Sequence, residues 1–220
     1  MNQDPRYHGF DGDPGLRGGE DARLHAPATQ RNRQPILDVL LRVLPSSGTA
    51  LELASGTGEH AVWFAHNLRP LVWQPSDPDP QMRRSIDSHA RAAEVGNIRP
   101  AIEIDVTRGP WPVDTVDAIV CINLLHISPW QATEGLFAGA AAHLAAGAPL
   151  VIYGPFKRGG VHSAESNERF DVSLKASNPE WGVRDLDAVA EVAAANGFAL
   201  EETIEMPANN LTVVFRRNDG

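Results

Sequence analysis

Three acids mark the ends of successive apolar runs: Glu52 inside the end of the first, Asp77 after the second and Asp105 after the third. The first lies just ahead of a small-residue loop, Ala54-Ser55-Gly56-Thr57-Gly58-Glu59-His60. A strand, a glycine turn and a helix in that order present bare backbone N–H groups to a ligand. Gly56 and Gly58 permit the tight turn and leave the backbone open to close approach. The pattern points to a nucleotide-type cofactor.

Gly56 to Ala61 formally matches the dinucleotide pattern G-x-G-x-x-G/A, a short match that carries little weight alone. Glu59 stands where a pyrophosphate would lie and repels it, although an acid there also suits the helix dipole. A nicotinamide-dependent oxidoreductase is therefore disfavoured. The three acids fit S-adenosylmethionine instead. Glu52 suits its ammonium, Asp77 its ribose hydroxyls, and Asp105, with the Val106 backbone beside it, its adenine amine. Two of the acids also have a plainer reading, Asp77 as the cap of a Pro-rich turn and Asp105 as the cap of a loop. Their joint placement behind successive strands favours the cofactor.

A second group of residues follows the fourth apolar run. Asn123 sits at its end, and His126 is the best candidate general base because its unperturbed pKa is near neutral. The equal alternative is a histidine that hydrogen-bonds backbone at a strand end. Tyr153, Phe156, Asn167, Trp181, Arg184, Asn209 and Asn210 are candidates to line the acceptor side. Arg31 and Asn32 join them if the segment ahead of the first helix folds over the ligand. His60 is expected to shape the cofactor loop. No metal site is expected.

The elements that position these groups are legible in part. Ile36, Leu37, Leu40, Leu41 and Leu44 predict a helix with Pro35 in its first turn. Strands are predicted over 49–53, 71–75, 98–104, 116–122 and 149–153, the third weakened by Pro100. Helices are predicted over 59–67, 81–93, 131–144 and 186–195. A closing strand pair, 199–206 and 211–215, brackets Pro207-Ala208-Asn209-Asn210. The alternation implies a Rossmann-like, doubly wound, mostly parallel α/β sheet of seven strands with an antiparallel terminal strand. Residues 154–184 show no regular period and are read as a long functional segment, a lid over the acceptor.

Several segments resemble one little-characterised methyltransferase-like family within the class I S-adenosylmethionine-dependent methyltransferases. They are Arg31-Asn32, Glu52 to His60, Trp73-Gln74-Pro75-Ser76-Asp77, Asn123 to Trp130 with its His126-Ile127-Ser128-Pro129-Trp130 end, Tyr153 to Phe156, Ser166-Asn167, Trp181 to Asp185 and Met206 to Leu211. The resemblance covers residues 26 to 217. Ala54 replaces a glycine common in the wider superfamily, as is usual in the narrower family. The resemblance implies a methyltransferase whose acceptor is unspecified. Asn123-Leu124-Leu125-His126 departs from the Asn/Asp-Pro-Pro-aromatic pattern of methyltransferases acting on planar amide or base nitrogens, which disfavours that class; a small-molecule acceptor is the expectation. The alternative is a cofactor-binding protein without turnover that acts through a partner.

The totals agree with this reading. The chain has 220 residues, 42% hydrophobic and 21% charged, as expected of a globular protein. A net charge of −9 argues against an extended nucleic-acid surface. The single cysteine, Cys121, fits a reducing compartment, and no apolar run suits a membrane span, so a cytoplasmic location is expected. Residues 1–25 lack apolar periodicity and are expected to be a mobile tail ahead of a single domain, 26–220. The oligomeric state is not legible.

Overall fold

In the computed structural model residues 22–219 are described. The first helix, α1 (Pro27–Val43), begins two turns earlier than the apolar spacing predicts, because Pro27 supplies a ready-made first turn and Pro35 is carried inside. Pro35 lacks the N–H that would reach the Arg31 carbonyl. Arg31 lies on the exposed side of the helix, where water can serve that carbonyl, and Asn32 faces inward. Both therefore belong to the second turn of α1 and not to a lead-in segment. Of the tail expected over residues 1–25, only 22–25 fall among the described residues. There the Ala22 and Leu24 amides donate to Ser88 Oγ and Ser85 Oγ at 3.2 and 2.8 Å.

The chain divides into two compact units, one ending at Asp105 and the other starting at Val106. In the first, β1 (Thr49–Leu53) pairs in parallel with β2 (Val72–Pro75), and α2 (Glu59–Asn67) and α3 (Pro80–Ala92) follow them. Asp79 caps α3 by accepting from the Gln81 amide at 2.7 Å, with Pro80 in the first turn.

In the second unit β3 (Ala118–Ile122) pairs in parallel with β4 (Pro149–Gly154), after the helix α4 (Trp130–His143). Past β4 come β5 (Phe156–Arg158), β6 (Val161–His162), α5 (Glu165–Ser177), β7 (Arg184–Asp185) and α6 (Leu186–Ala195). The chain closes with β8 (Phe198–Met206) and β9 (Asn210–Arg217), which runs antiparallel to both β4 and β8.

The fold is mixed α/β with a mostly parallel central sheet, as expected, and that sheet has six strands where seven are predicted. The missing one is the segment 98–104. It lies beside β2 through two isolated bridges, Trp73 to Ile98 and Ser76 to Ile102. Between them Pro100 has no N–H to give, and the Gln74 side chain reaches across to the Pro100 carbonyl at 2.9 Å. The segment 154–184 is also more ordered than its lack of period suggests, because it holds β5, β6 and the 13-residue α5. Among the described residues no helix is long and apolar enough to cross a membrane.

Candidate functional site

The candidate residues fall into two groups, one in each unit. The first is built on the loop after β1. Ala54 has φ 53°, the left-handed region that a glycine would occupy without strain. The Ser55 amide donates to Ser76 O at 2.8 Å, and Ser76 Oγ donates to Glu52 O at 2.8 Å, so β2 fixes the loop from one side. Ser85 Oγ donates to Thr57 O at 2.7 Å and fixes it from α3.

The two loop glycines differ in role. A Cβ at Gly58 would stand 2.5 Å from Ile86 Cα, so this glycine is required for the close packing of α3. At Gly56 nothing lies within 4 Å of a would-be Cβ. Gly56 therefore presents the open face of the loop.

Asp77 is buried and holds that face in place. Its Oδ2 accepts from Gly56 N at 3.0 Å and its Oδ1 from Asp79 N at 2.9 Å. Asp77 thus caps the Pro-rich turn and also reaches the loop after β1. Asp105 ends the interrupted ribbon and is half-buried.

Glu52 lies inside β1 and accepts from Trp73 Nε1 at 3.0 Å. Burial pushes its carboxyl up to about 7; the Trp73 and Ser55 side chains pull it down and the Asp77 charge adds to the rise. Glu59, at the start of α2, is held below the ordinary range in spite of its partial burial. The Ala26 amide at 2.7 Å and His25 Nδ1 at 3.1 Å do this. Glu59 thus pins the chain ahead of α1 instead of facing open solvent.

His60 stacks on Phe64 at 5.4 Å, and its Nε2 lies 2.8 Å from Asn32 Oδ1. An amide oxygen only accepts, so the ring carries its proton on Nε2. Burial pushes this imidazole down to about 4. His60 and Asn32 thus form a contact between α1 and α2 behind the loop, whereas Arg31 is exposed.

The second group surrounds the end of β3. Asn123 has φ 61°, and its amide donates to Tyr153 O at 2.8 Å. Asparagine tolerates that conformation better than most residues. It turns the chain into a single 3₁₀ turn, Leu124–His126. His126 is 1% exposed and meets the Phe156 ring edge-on at 5.1 Å. Among the described residues neither of its ring nitrogens has a hydrogen-bond partner. Burial pushes the imidazole down to about 3, with the Arg184 cation adding to the fall. Gly154 is what admits the ring, because a Cβ there would stand 2.2 Å from His126 Nε2.

The remaining candidates are distributed differently from expectation. Asn167, on α5, donates to Ser163 Oγ at 2.9 Å and to Asn209 O at 2.8 Å. The Asn209 side chain returns to Ser166 Oγ at 3.2 Å, and the Asn210 side chain donates to Pro207 O at 3.1 Å. These residues tie α5 to the turn between β8 and β9. Tyr153 and Phe156 are buried, and Trp181 packs with Leu174 and Val183. Val106 is buried too, with its carbonyl against Gly135 of α4.

Arg184 departs furthest from the acceptor-lining reading. Its guanidinium donates to the carbonyls of Leu125, Ser128 and Glu180 at 2.9, 2.5 and 2.8 Å. Asp171 escapes the sequence reading altogether. It is a buried carboxylate on α5 within 3.3 Å of three basic side chains, Lys175, Lys157 and His162. Burial works to raise its pKa, but Lys175, the Val183 amide and Lys157 hold it down to about 2.

The chain belongs to the family described as a protein of unknown function, DUF938, whose model matches residues 23–217. Among solved structures it is similar to an O-methyltransferase family protein from Burkholderia thailandensis, at 17% identity and a TM-score of 0.75. That match covers 88% of this chain and 58% of the other. It is also similar to an O-methyltransferase family 2 protein from Planctomyces limnophilus DSM 3776 in complex with apigenin, at 18% identity and a TM-score of 0.73, covering 86% and 57%. A third is CalO1, a methyltransferase in calicheamicin biosynthesis, in its SAH-bound form, at 16% identity and a TM-score of 0.67, covering 84% and 53%. At these identities the likeness is one of fold. The chain spans a little over half the length of the solved structures it matches.

Proposed function

We propose that the chain is an S-adenosylmethionine-dependent methyltransferase acting on a small-molecule acceptor. The observation that carries this is the glycine loop: it is fixed from β2 and α3, its Gly56 face is open, and Asp77 reaches that face. The methyltransferase likeness of the fold supports it. The residues present fit the cofactor. Glu52 is a buried acid on the strand that feeds the loop, suited to an ammonium group. Asp77, whose carboxylate lies against the Gly56 amide at the loop's open face, suits the ribose hydroxyls. Asp105 with the Val106 backbone suits the adenine edge.

When bound, this cofactor supplies an electrophilic methyl group on a sulfonium. Methyl transfer is then a matter of alignment and exclusion of water more than of acid–base machinery. Ala54, Ser55, Gly56 and Thr57 bind and orient through backbone fixed in advance, while Gly58 and His60 shape the loop. Asn123 joins the cofactor-binding residues, and Tyr153, Phe156, Asn167, Asn209 and Asn210 belong to the acceptor side.

His126 holds or takes the acceptor's proton at a ring nitrogen. In the resting protein it is neutral and a weak base, since burial favours the uncharged ring. A hydroxyl that hydrogen-bonds to it would satisfy one of two nitrogens now left without a partner.

A turnover screen tests the proposal. The protein with S-adenosylmethionine and a set of phenolic, carboxylic and amine acceptors should release S-adenosylhomocysteine with at least one of them. His126→Gln should lower that rate by roughly 10²–10⁴-fold if the acceptor is a hydroxyl, the range for general base catalysis. Cofactor binding without product across the whole set would favour a binding protein that acts through a partner.

A further inference from the structure

The ring nitrogens of His126 have no close hydrogen-bond partner among the described residues, and the backbone of Gly182 is the hydrogen-bonding group that acts on the ring. We propose that Arg184 is a positioning residue, and that the stretch Gly182 to Arg184, anchored to α5 through Asp171, braces the turn that carries His126. The catalytic consequence rests on the reading of His126 as proton acceptor; the brace itself does not.

Four hydrogen bonds make the brace. The Gly182 amide donates to His126 O at 3.0 Å. Arg184 Nε donates to Leu125 O at 2.9 Å, and Arg184 Nη2 donates to Ser128 O at 2.5 Å. The residues just before and just after His126-Ile127 are thus gripped by one rigid guanidinium fork, which the point charge of a lysine cannot reproduce. On the far side the Val183 amide donates to Asp171 Oδ1 at 2.8 Å. The other oxygen of Asp171 is held by Lys175 at 2.7 Å, Lys157 at 3.1 Å and His162 at 3.3 Å. Those three residues come from α5, β5 and β6, so the carboxylate ties the brace to every element of that segment.

Apolar contacts run the same way. Leu174 of α5 packs with Trp181 and Val183, and Ile127, the neighbour of His126, packs against that cluster. A Cβ at Gly182 would stand 2.7 Å from Asp171 Oδ1, so the brace is also drawn in close to the carboxylate. A shift of α5 would therefore be felt at the His126 ring, which meets the Phe156 ring edge-on and lies close against the Gly154 backbone.

The test is the ¹⁵N side-chain spectrum of His126, assigned by its loss in His126→Gln and recorded at pH 7.5 without cofactor or acceptor. In Arg184→Lys and in Asp171→Ala both ring resonances should move from their wild-type positions. In Arg169→Ala, which removes only an exposed pair with Glu165, they should stay. Should Asp171→Ala fail to fold, Arg184→Lys, which keeps the charge and the stem, decides. Ring resonances unchanged in a folded Arg184→Lys would overturn the proposal. Since no ligand is added, that outcome leaves the methyltransferase reading untouched. Failure to bind S-adenosylhomocysteine would likewise leave the brace standing.

Discussion

Replacing Glu52 with glutamine is expected to stabilise the cofactor-free protein at pH 8 and to weaken its hold on S-adenosylhomocysteine. The side chain is 1% exposed, and burial raises its pKa from 4.5 to about 7. An acid raised in this way binds more protons in the folded chain than in the unfolded one. Its favourable contribution is full below pH 4.5, falls across the interval to about 7, and is absent above it. At pH 8 the wild type therefore holds a buried charge that the variant lacks. At about 1.4 kcal/mol per pKa unit the difference is on the order of 3 kcal/mol in favour of glutamine. Glutamine can still accept from Trp73 Nε1, so packing is kept. Thermal midpoints at pH 5 and pH 8 check this: the variant should lead at pH 8 and the gap should narrow at pH 5. Equal midpoints at pH 8 would show that Glu52 is not the buried acid described. The loss of affinity follows because an amide cannot pair with an ammonium group as a carboxylate does.

The second large effect has the opposite sign in pH. His126 is depressed from 6.5 to about 3 and His60 from 6.5 to about 4, both chiefly by burial. For such bases the unfolded chain binds more protons throughout the window. Their contribution to stability is present above pH 6.5 and is lost as the pH falls toward the folded values. By pH 4.5 the His126 contribution alone has fallen by on the order of 3 kcal/mol. His126→Gln, which cannot titrate, should start less stable at pH 7 yet lose less on acidification to pH 4.5. Urea unfolding at both pH values measures the two slopes. Glu52 acts on both proteins alike and cancels in the comparison. Parallel slopes would mean that the His126 ring is not held neutral in the fold.

What the sequence reveals follows from which forces leave a trace in it. The loop after β1 is legible because alternation stops at Leu53 and two glycines follow, and the backbone there does what those residues permit. The seventh strand is misjudged because an apolar stretch registers more strongly than the one missing N–H of Pro100. Helix α5 is invisible for a different reason. Its inward positions are Asn167, Asp171 and Leu174, at helical spacing but two of them polar, so hydrophobic periodicity has almost nothing to register. The same fact hides Asp171, whose importance lies in partners drawn from α5, β5 and β6. Arg184 is noticed for its charge, while its grip on backbone is not legible. Two of its three carbonyl partners lie more than fifty residues away and are backbone, which no residue type announces. Gly58 shows the limit from the other side. A glycine in a ligand loop reads as room for the ligand, whereas this one makes room for Ile86.

Calorimetric titration of S-adenosylhomocysteine into the wild type and Gly56→Asn tests the central claim most directly. Gly56 has φ 57°, which asparagine tolerates, and nothing lies within 4 Å of the added Cβ, so the variant should fold. Its side chain would occupy the open face of the loop. The wild type should bind S-adenosylhomocysteine at one site and bind NAD far more weakly, and Gly56→Asn should lose roughly tenfold or more in affinity, about 1.4 kcal/mol. Equal affinity in a folded Gly56→Asn, or tighter binding of NAD than of S-adenosylhomocysteine by the wild type, would contradict the assignment of this loop to that cofactor.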